Sequence, residues 1–550
     1  MIKALEQFVR KNWYVVGFVS ILLIAAFLRT YKLGEVPHGM TWDEAAIGYN
    51  GHAVLTTRRD EWLTRLPISF RSFGDYKAPF AIYLNGFFTV LFGMNLWAVR
   101  LPFALSGIMA VFGAILLGRS LFEESKYRSA LALIFGLSLA VSPWHIHFTR
   151  TGFESGLALT MVIWGVYLFL TAWKKTNRTV VLLSLSVALF ILSLYTYHST
   201  KITVPLLGFY LVWQHRKTFF SDITRLVVPS VISAVMLIPL VFDLLFRNGL
   251  ERAGVTVFAQ GYGFFTSVWV TLQQFFLHLH PDFLLFGETT TQRHGDGVHG
   301  VLYPTTYALV LGVVSWILWN LLKKNTLPKY VFQVFSLASA CIVFGILPAA
   351  VATEVPHSNR ALTAIIGFLL FSTLGIAELL RFAGNHAVVK KLRDSRNRKT
   401  IFFQLIVGTF ILLHALFTIE YSSYYFKNFA RNSADDFKDG YIDAFNYVIP
   451  YETGKDGKHE VQNIIFTSKY GQPYIYALFA RKTSPIYYHG GSLIKYLFQD
   501  SFVEGDLLRE NTILVTSPED IMPFDKAVYV VYGSDRQPKF YIFDSTKTKW

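Results

Sequence analysis

A single cysteine, Cys341, stands among 550 residues, and it falls inside an apolar run. No intrachain disulfide can form, so any exported part of the chain must hold together by packing. Charge is scarce as well. Only 16% of residues are charged, and the 36 acids are outnumbered by 51 Lys and Arg. In a soluble chain, a formal net charge of +15 would invite a nucleic-acid partner. Here the cations cluster in short loops between apolar runs, as they do in an oriented membrane protein, and no nucleic acid is expected. The chain also has no convincing short-period repeat and no low-complexity tract. Its C-terminal part has no glycine-rich phosphate-binding fingerprint, which leaves no sign of a nucleotide-binding module there.

What is plentiful is apolar: 53% of residues are hydrophobic and 17% aromatic. That excess, in runs of spanning length, predicts a polytopic α-helical membrane protein. The runs fall near 13–29, 79–94, 98–118, 129–146, 155–173, 179–196, 202–214, 226–245, 302–321, 330–349, 361–380 and 401–419. Lys3, Arg10 and Lys11 precede the first, which predicts a retained anchor with a cytoplasmic N-terminus. If every run crossed, the basic loops 119–128, 174–178 (with Lys174, Lys175 and Arg178) and 381–399 would face outward, against the positive-inside rule. Keeping 79–94 on the outer face, as an interfacial or re-entrant helix, turns all of them inward. The expectation is therefore about eleven transmembrane helices with outer-face juxtamembrane helices. The outer loops are then 31–77, 147–154, 195–201, 246–300 and 353–360, and the long 246–300 loop shows no obvious structure.

From about Glu420 the apolar runs shorten to strand length, at 463–467, 512–516 and 527–532, with helical spacing over 473–481. This predicts a soluble, extracytoplasmic α/β domain over 421–550, after a transmembrane module over 1–420. Gly490-Gly491 reads as a turn within it.

The candidate chemistry sits in the outer loops. Asp43 and Glu44, in Thr41-Trp42-Asp43-Glu44, are adjacent carboxylates beside the first apolar run; carboxylates near lipid are costly and default to function. The same residues also suit a helix N-terminus. Asp75-Tyr76-Lys77-Ala78-Pro79 closes the loop, with Lys77 a point charge for a phosphate and Tyr76 a lining residue. Arg150 and Glu154 are spaced to pair on one helix face. His145 and His147 read as polar lining rather than a metal site. His198 and Lys201 are further lining candidates. The 246–300 loop carries Arg252, His278, His280, Arg293 and His294; Arg293-His294 before Gly295-Asp296-Gly297 suits an anion, since glycine lets backbone N–H groups approach. His278 and His280 have the wrong spacing for closed zinc coordination. His357, Asn359 and Arg360 enter a span from outside, with Arg360 placed to hold a phosphate.

Taken in order, these residues resemble the GT-C membrane glycosyltransferases, in particular bacterial relatives of the protein O-mannosyltransferases and lipid A aminoarabinose transferases. The resemblance rests on Asp43-Glu44, Lys77-Ala78-Pro79, Arg100-Leu101-Pro102-Phe103, Arg150 with Glu154, and Arg293 followed by Gly300-Val301-Leu302-Tyr303-Pro304. Ala78, Phe103 and Glu154 depart from the commonest family residues. The resemblance implies inverting transfer of a sugar from a polyprenyl-phosphate donor to a protein, lipid or glycan acceptor outside the cytoplasmic membrane, in a site built from outer loops 31–77 and 246–300. Asp43 would be the general base, with Glu44 or Glu154 orienting groups nearby. Lys77, Arg150, Arg293 and Arg360 would hold the lipid phosphate. No cofactor and no metal are expected. The competing class is a transporter or flippase of lipid-linked sugars, but no pair of broken spans in corresponding halves supports it.

Overall fold

The computed structural model describes residues 2–174, 178–246, 254–288, 290–385, 396–488 and 493–547. Lys175, Arg252, Gly490-Gly491 and most of the basic 381–399 loop lie outside these, as do the side chains of Lys3 and Arg10. The chain divides into two compact units. One comprises the described residues up to Tyr31 together with 103–422. The other comprises 32–102 together with the described residues from 423 onward.

The first unit is helical. Among the described residues of the whole chain, eight helices are long and apolar enough to cross a bilayer: Lys11–Thr30, Leu96–Leu121, Glu154–Ala172, Ile223–Phe246, Pro304–Leu322, Lys329–Ala350, Ser358–Phe382 and Ile401–Asn432. A ninth arises if Arg128–Val141 and Pro143–Arg150, which meet at 56°, form one broken span. The expectation is about eleven, and the shorter apolar helices among the described residues make up part of the difference. Thr179–Leu194 and Thr200–Gln214 have 16 and 15 residues. At 1.5 Å per residue they reach about 22–24 Å, short of a hydrocarbon core of about 30 Å. Pro79–Phe92, with 14 residues, is shorter still. The 129–146 run breaks because Pro143 cannot continue the helix before it and instead starts the next. The 246–300 loop is not structureless: Phe264–Leu277 and Pro281–Phe286 are helices. Phe265 (85% exposed), Trp269 and Phe276 leave the first of these an aromatic outer face, a surface suited to a membrane interface.

The second unit holds two sheets. Strands β1 (Phe70–Ser72) and β2 (Asp75–Lys77) form a hairpin in register Phe70↔Lys77. Its two-residue turn has Phe73 and Gly74 both at positive φ, 54° and 76°, the mirror-image turn whose twist suits paired strands. The larger sheet contains β3 (Asn463–Thr467), β4 (Tyr496–Gln499), β5 (Thr512–Thr516), β6 (Tyr529–Tyr532) and β7 (Pro538–Asp544), in the order β4-β3-β5-β7-β6. The pairings β3–β4 and β3–β5 are parallel, and β7 runs antiparallel to both neighbours. The helix expected over 473–481 is Pro473–Arg481.

The C-terminal segment does not pack by itself. Ala45, Ala46, Tyr49 and Ala53, from the helix Trp42–Thr57, share a core with Tyr441, Phe445, Phe466, Tyr476 and Phe540. Tyr441 and Tyr476 stack at 4.3 Å. The Tyr476 hydroxyl donates to the Met40 carbonyl (2.8 Å) and the Tyr49 hydroxyl to the Thr483 carbonyl (2.7 Å). Helix Trp42–Thr57 also crosses Pro79–Phe92 at Gly51 and Gly86, where a side chain on either glycine would run into the other helix's backbone. Gly86→Ala is therefore expected to destabilise this unit by about 1–3 kcal/mol, through overpacking that cannot relax. The melting midpoint in detergent is the measurement.

Candidate functional site

In the second unit the sequence folds so that two adjacent carboxylates take different duties. Thr41 caps the helix Trp42–Thr57: its hydroxyl accepts from the Glu44 N–H (3.2 Å), and the Thr41 N–H donates to Glu44 Oε2 (2.9 Å). This is the reciprocal capping box that Thr-x-x-Glu encodes. Glu44 is 1% exposed, and Arg100 grips it with Nε on Oε1 (2.6 Å) and Nη2 on Oε2 (3.2 Å). Arg100 also donates to the carbonyls of Leu33, Pro37 and Gly39. Glu44 is thus a brace for the loop and the helix start, not an open acid.

Asp43, one residue earlier, points elsewhere. Its carboxylate is ion-paired with Lys77 Nζ at the end of β2, and its side chain is 22% exposed against 9% for Lys77. The hairpin delivers Lys77 to Asp43, with Phe73 beneath the ammonium at 5.9 Å. Tyr76 pairs across the hairpin with Arg71, which lies 4.3 Å over the Trp62 ring.

Sequence reading passed over Glu61. It is fully buried, its N–H donates to Asn50 Oδ1 (2.9 Å), and Asn50 Nδ2 reaches its Oε1 (3.3 Å). Burial pushes its carboxyl up to about 8; Asn50 opposes this, Asp60 adds to it and Lys77 opposes it further. The folded state therefore holds a proton that an ordinary carboxylate has released. The stability this gives is full below about pH 4.5 and lost as pH rises through about 8. Glu61→Gln is expected to flatten that decline and to stabilise the unit at pH 7 by on the order of 2 kcal/mol, read from melts across a pH series.

The first unit contains the other predicted residues. Arg150 is fully buried and donates to the carbonyls of Leu28 and Tyr31, both at 2.8 Å. It satisfies orphan groups at the end of the first long helix. In these contacts Arg150 braces the end of that helix. Arg150 and Glu154, expected on one helix face, instead end one helix and begin the next. His145 Nδ1 contacts Arg29 (2.6 Å), and His147 Nε2 lies 2.8 Å from the Arg293 carbonyl. His198 is half-buried just before the helix Thr200–Gln214, which carries Lys201 in its first turn.

At Gly295-Asp296-Gly297, where the sequence suggests an anion nest, the Asp296 carboxylate turns to the N–H groups just beyond. Asp296 Oδ1 accepts from the N–H groups of Val298 (3.0 Å) and His299 (2.7 Å). Asp296 and Glu420 flank His299; burial lowers its basicity, and the two carboxylates outweigh burial and raise it. Arg360 is 21% exposed and reaches Glu354 at 3.5 Å. Asn359 and His357 are buried beside it in the chain. His294 contacts Glu288 Oε1 (3.0 Å) and stacks on His357 with centroids 4.4 Å apart. Burial raises the Glu288 carboxyl, but His294 and Ser358 outweigh it and hold it below the usual range.

The structure thus puts Asp43, Glu44, Tyr76 and Lys77 in one unit, and Arg150, Glu154, His198, Lys201, Arg293, His294, His357, Asn359 and Arg360 in the other.

The fold is similar to that of solved GT-C membrane glycosyltransferases. ArnT from Cupriavidus metallidurans in the apo state is similar with a TM-score of 0.53 and 12% identity, covering 98% of this chain and 100% of that one. ArnT bound to undecaprenyl phosphate gives 0.51 and 13%, covering 96% and 98%. The Archaeoglobus fulgidus oligosaccharyltransferase tethered to an acceptor peptide gives 0.51 and 13%, covering 99% and 75%. These likenesses show the fold and bear out the resemblance seen in the outer-loop motifs. More particularly, residues 76–242 match the family model described as dolichyl-phosphate-mannose-protein mannosyltransferase. "Putative mannosyltransferase YycA" of Bacillus subtilis (strain 168) is 26% identical over 151 residues, which span 27% of this chain and about a fifth (20%) of that protein.

Proposed function

We propose that this protein transfers a sugar from a polyprenyl-phosphate carrier to an acceptor at the outer face of the cytoplasmic membrane, with Asp43 as general base. The observation that carries this reading is the Asp43–Lys77 pair. It is a partly exposed carboxylate held against a lysine, on a helix start that Glu44 and Arg100 lock in place. Lys77 suits a phosphate, and a donor phosphate that takes Lys77 frees Asp43 to accept a proton. In the step itself the acceptor oxygen bonds to the anomeric carbon and its proton passes to Asp43. The carbon–oxygen bond to phosphate breaks, and its electron pair leaves on the polyprenyl phosphate. Attack opposite the phosphate inverts the anomeric centre. Fixed cations stabilise the charge that grows on the leaving phosphate. Arg293 and Arg360 are further candidate cations in the first unit, each open to its own substitution.

ArnT has been seen with undecaprenyl phosphate, which supports a lipid-phosphate carrier here. Polyprenyl-phosphate mannose labelled in the sugar provides the direct test. Membranes containing the protein should move label into acceptor material and release polyprenyl phosphate, and membranes without it should not. A deletion strain should lose a sugar from its envelope and regain it on complementation. An unchanged envelope profile, with no turnover across a panel of polyprenyl-phosphate sugars, would refute the reading.

A further inference from the structure

We propose that Glu288, His294 and His357 form a site for one divalent transition-metal ion of the zinc type, clamping the loop that carries Arg293 to the loop that carries Arg360. Each of the three residues offers a ligand atom, and these atoms all lie within 4.8 Å of one another. Glu288 and His357 are 5% exposed, and His294 is half-buried. Two imidazoles and a carboxylate are a donor set for zinc with one position left open; calcium and magnesium prefer all-oxygen surroundings.

The geometry is close to what such an ion needs. Tetrahedral bonds of about 2.0–2.2 Å put neighbouring ligand atoms roughly 3.3 Å apart. Glu288 Oε1 and His294 Nδ1, at 3.0 Å, are already near that spacing. The His357 ring stacks on His294 with 29° between planes, so ligation requires it to turn its nitrogen toward the ion.

Partners around the cluster hold the ligands in place. Glu288 Oε2 accepts from the Ser358 N–H (2.9 Å), with the Ser358 hydroxyl at 3.0 Å. The His357 N–H donates to His278 Nε2 (3.0 Å), which fixes the backbone under that ring. Such outer partners orient ligands in built metal sites. Beside Glu288 and His294 lies a cavity of about 20 Å³. That is room for one water, the usual occupant of an open zinc position. This reading revises the metal-free expectation drawn from the sequence, and it stands or falls without any sugar being transferred.

The test uses the full chain in detergent, untagged, stripped with chelator and then equilibrated with zinc alone. Wild type is expected to retain about one equivalent of zinc, to melt higher with zinc than without, and to give the visible spectrum of a tetrahedral site with cobalt. His294→Gln/His357→Asn should lose the bound zinc and the zinc-dependent rise in melting, while melting like the metal-free wild type. Glu288→Gln should bind zinc more weakly, and His459→Ala, in the other unit, should bind as wild type does. Retention of full stoichiometry by the double variant would overturn the site. So would a folded wild type that takes up no zinc.

Discussion

Asp43→Asn is expected to reduce sugar transfer by about 10²–10⁴-fold, the range seen when a positioned general base is removed, while the protein stays folded. Asparagine keeps the shape of the side chain but cannot take the acceptor's proton. The structural cost is limited because asparagine can still accept from Lys77, the two side chains being 22% and 9% exposed. Loss of the charge from this largely buried contact is expected to cost about 1–3 kcal/mol. The capping box and the Glu44–Arg100 bonds, which fix the helix start, do not involve the Asp43 side chain. Activity and stability should therefore separate: transfer collapses while the melting midpoint falls only modestly. Asp43→Glu should recover part of the rate, because the proton acceptor returns in a displaced position. A single-turnover assay with labelled donor, run beside a thermal melt, measures both. Transfer by Asp43→Asn within about twofold of wild type would place the base elsewhere, since the loss expected of a true base is at least ~10²-fold.

Much of this arrangement was legible in the residues themselves. Thr41-x-x-Glu44 before Ala45-Ala46-Ile47 is a helix-start pattern, and the helix begins at Trp42. The strands at 463–467 and 512–516 and the helix at 473–481 follow from run length and spacing, because each is a local property. Strands β4 and β7 were passed over: Tyr496–Gln499 has only four residues, and Pro538–Asp544 is interrupted in pattern by Lys539. Helix lengths were less legible, because an apolar run measures hydrophobicity rather than helix length; Thr179–Leu194 has 16 residues. Tertiary pairings were out of reach. Nothing near Arg150 says that it will end on the carbonyls of Leu28 and Tyr31. Glu288 and His357 meet only because two distant loops fold together. The glycines beside Asp296 permit an anion cradle, but nothing in the sequence says that its carboxylate will turn to the N–H groups of Val298 and His299.

Arg100→Ala is expected to destabilise the second unit by about 3–5 kcal/mol, the cost of leaving one member of a buried ion pair without its partner. Arg100 is fully buried, and its guanidinium bonds both oxygens of Glu44 and three carbonyls of the 33–39 segment. Truncation strands the Glu44 carboxylate at 1% exposure and frees those carbonyls together. Arg100→Lys should be only a partial rescue, since an ammonium cannot match the forked geometry on Glu44 and reach the carbonyls at once. Arg100→Met combined with Glu44→Leu should be less damaging than Arg100→Ala alone, because no unpaired charge stays buried, although the capping contact of Glu44 with Thr41 is lost as well. Melting midpoints of the three variants order these effects. The same substitutions carry a functional consequence that Asp43→Asn does not. Glu44 sets where the helix begins, and Asp43 is the residue before it, so transfer by Arg100→Ala should fall in step with its folded fraction and recover on cooling. An Arg100→Ala protein that melts with wild type but transfers no sugar would show that Arg100 acts on the substrate directly and that its contact with Glu44 is incidental.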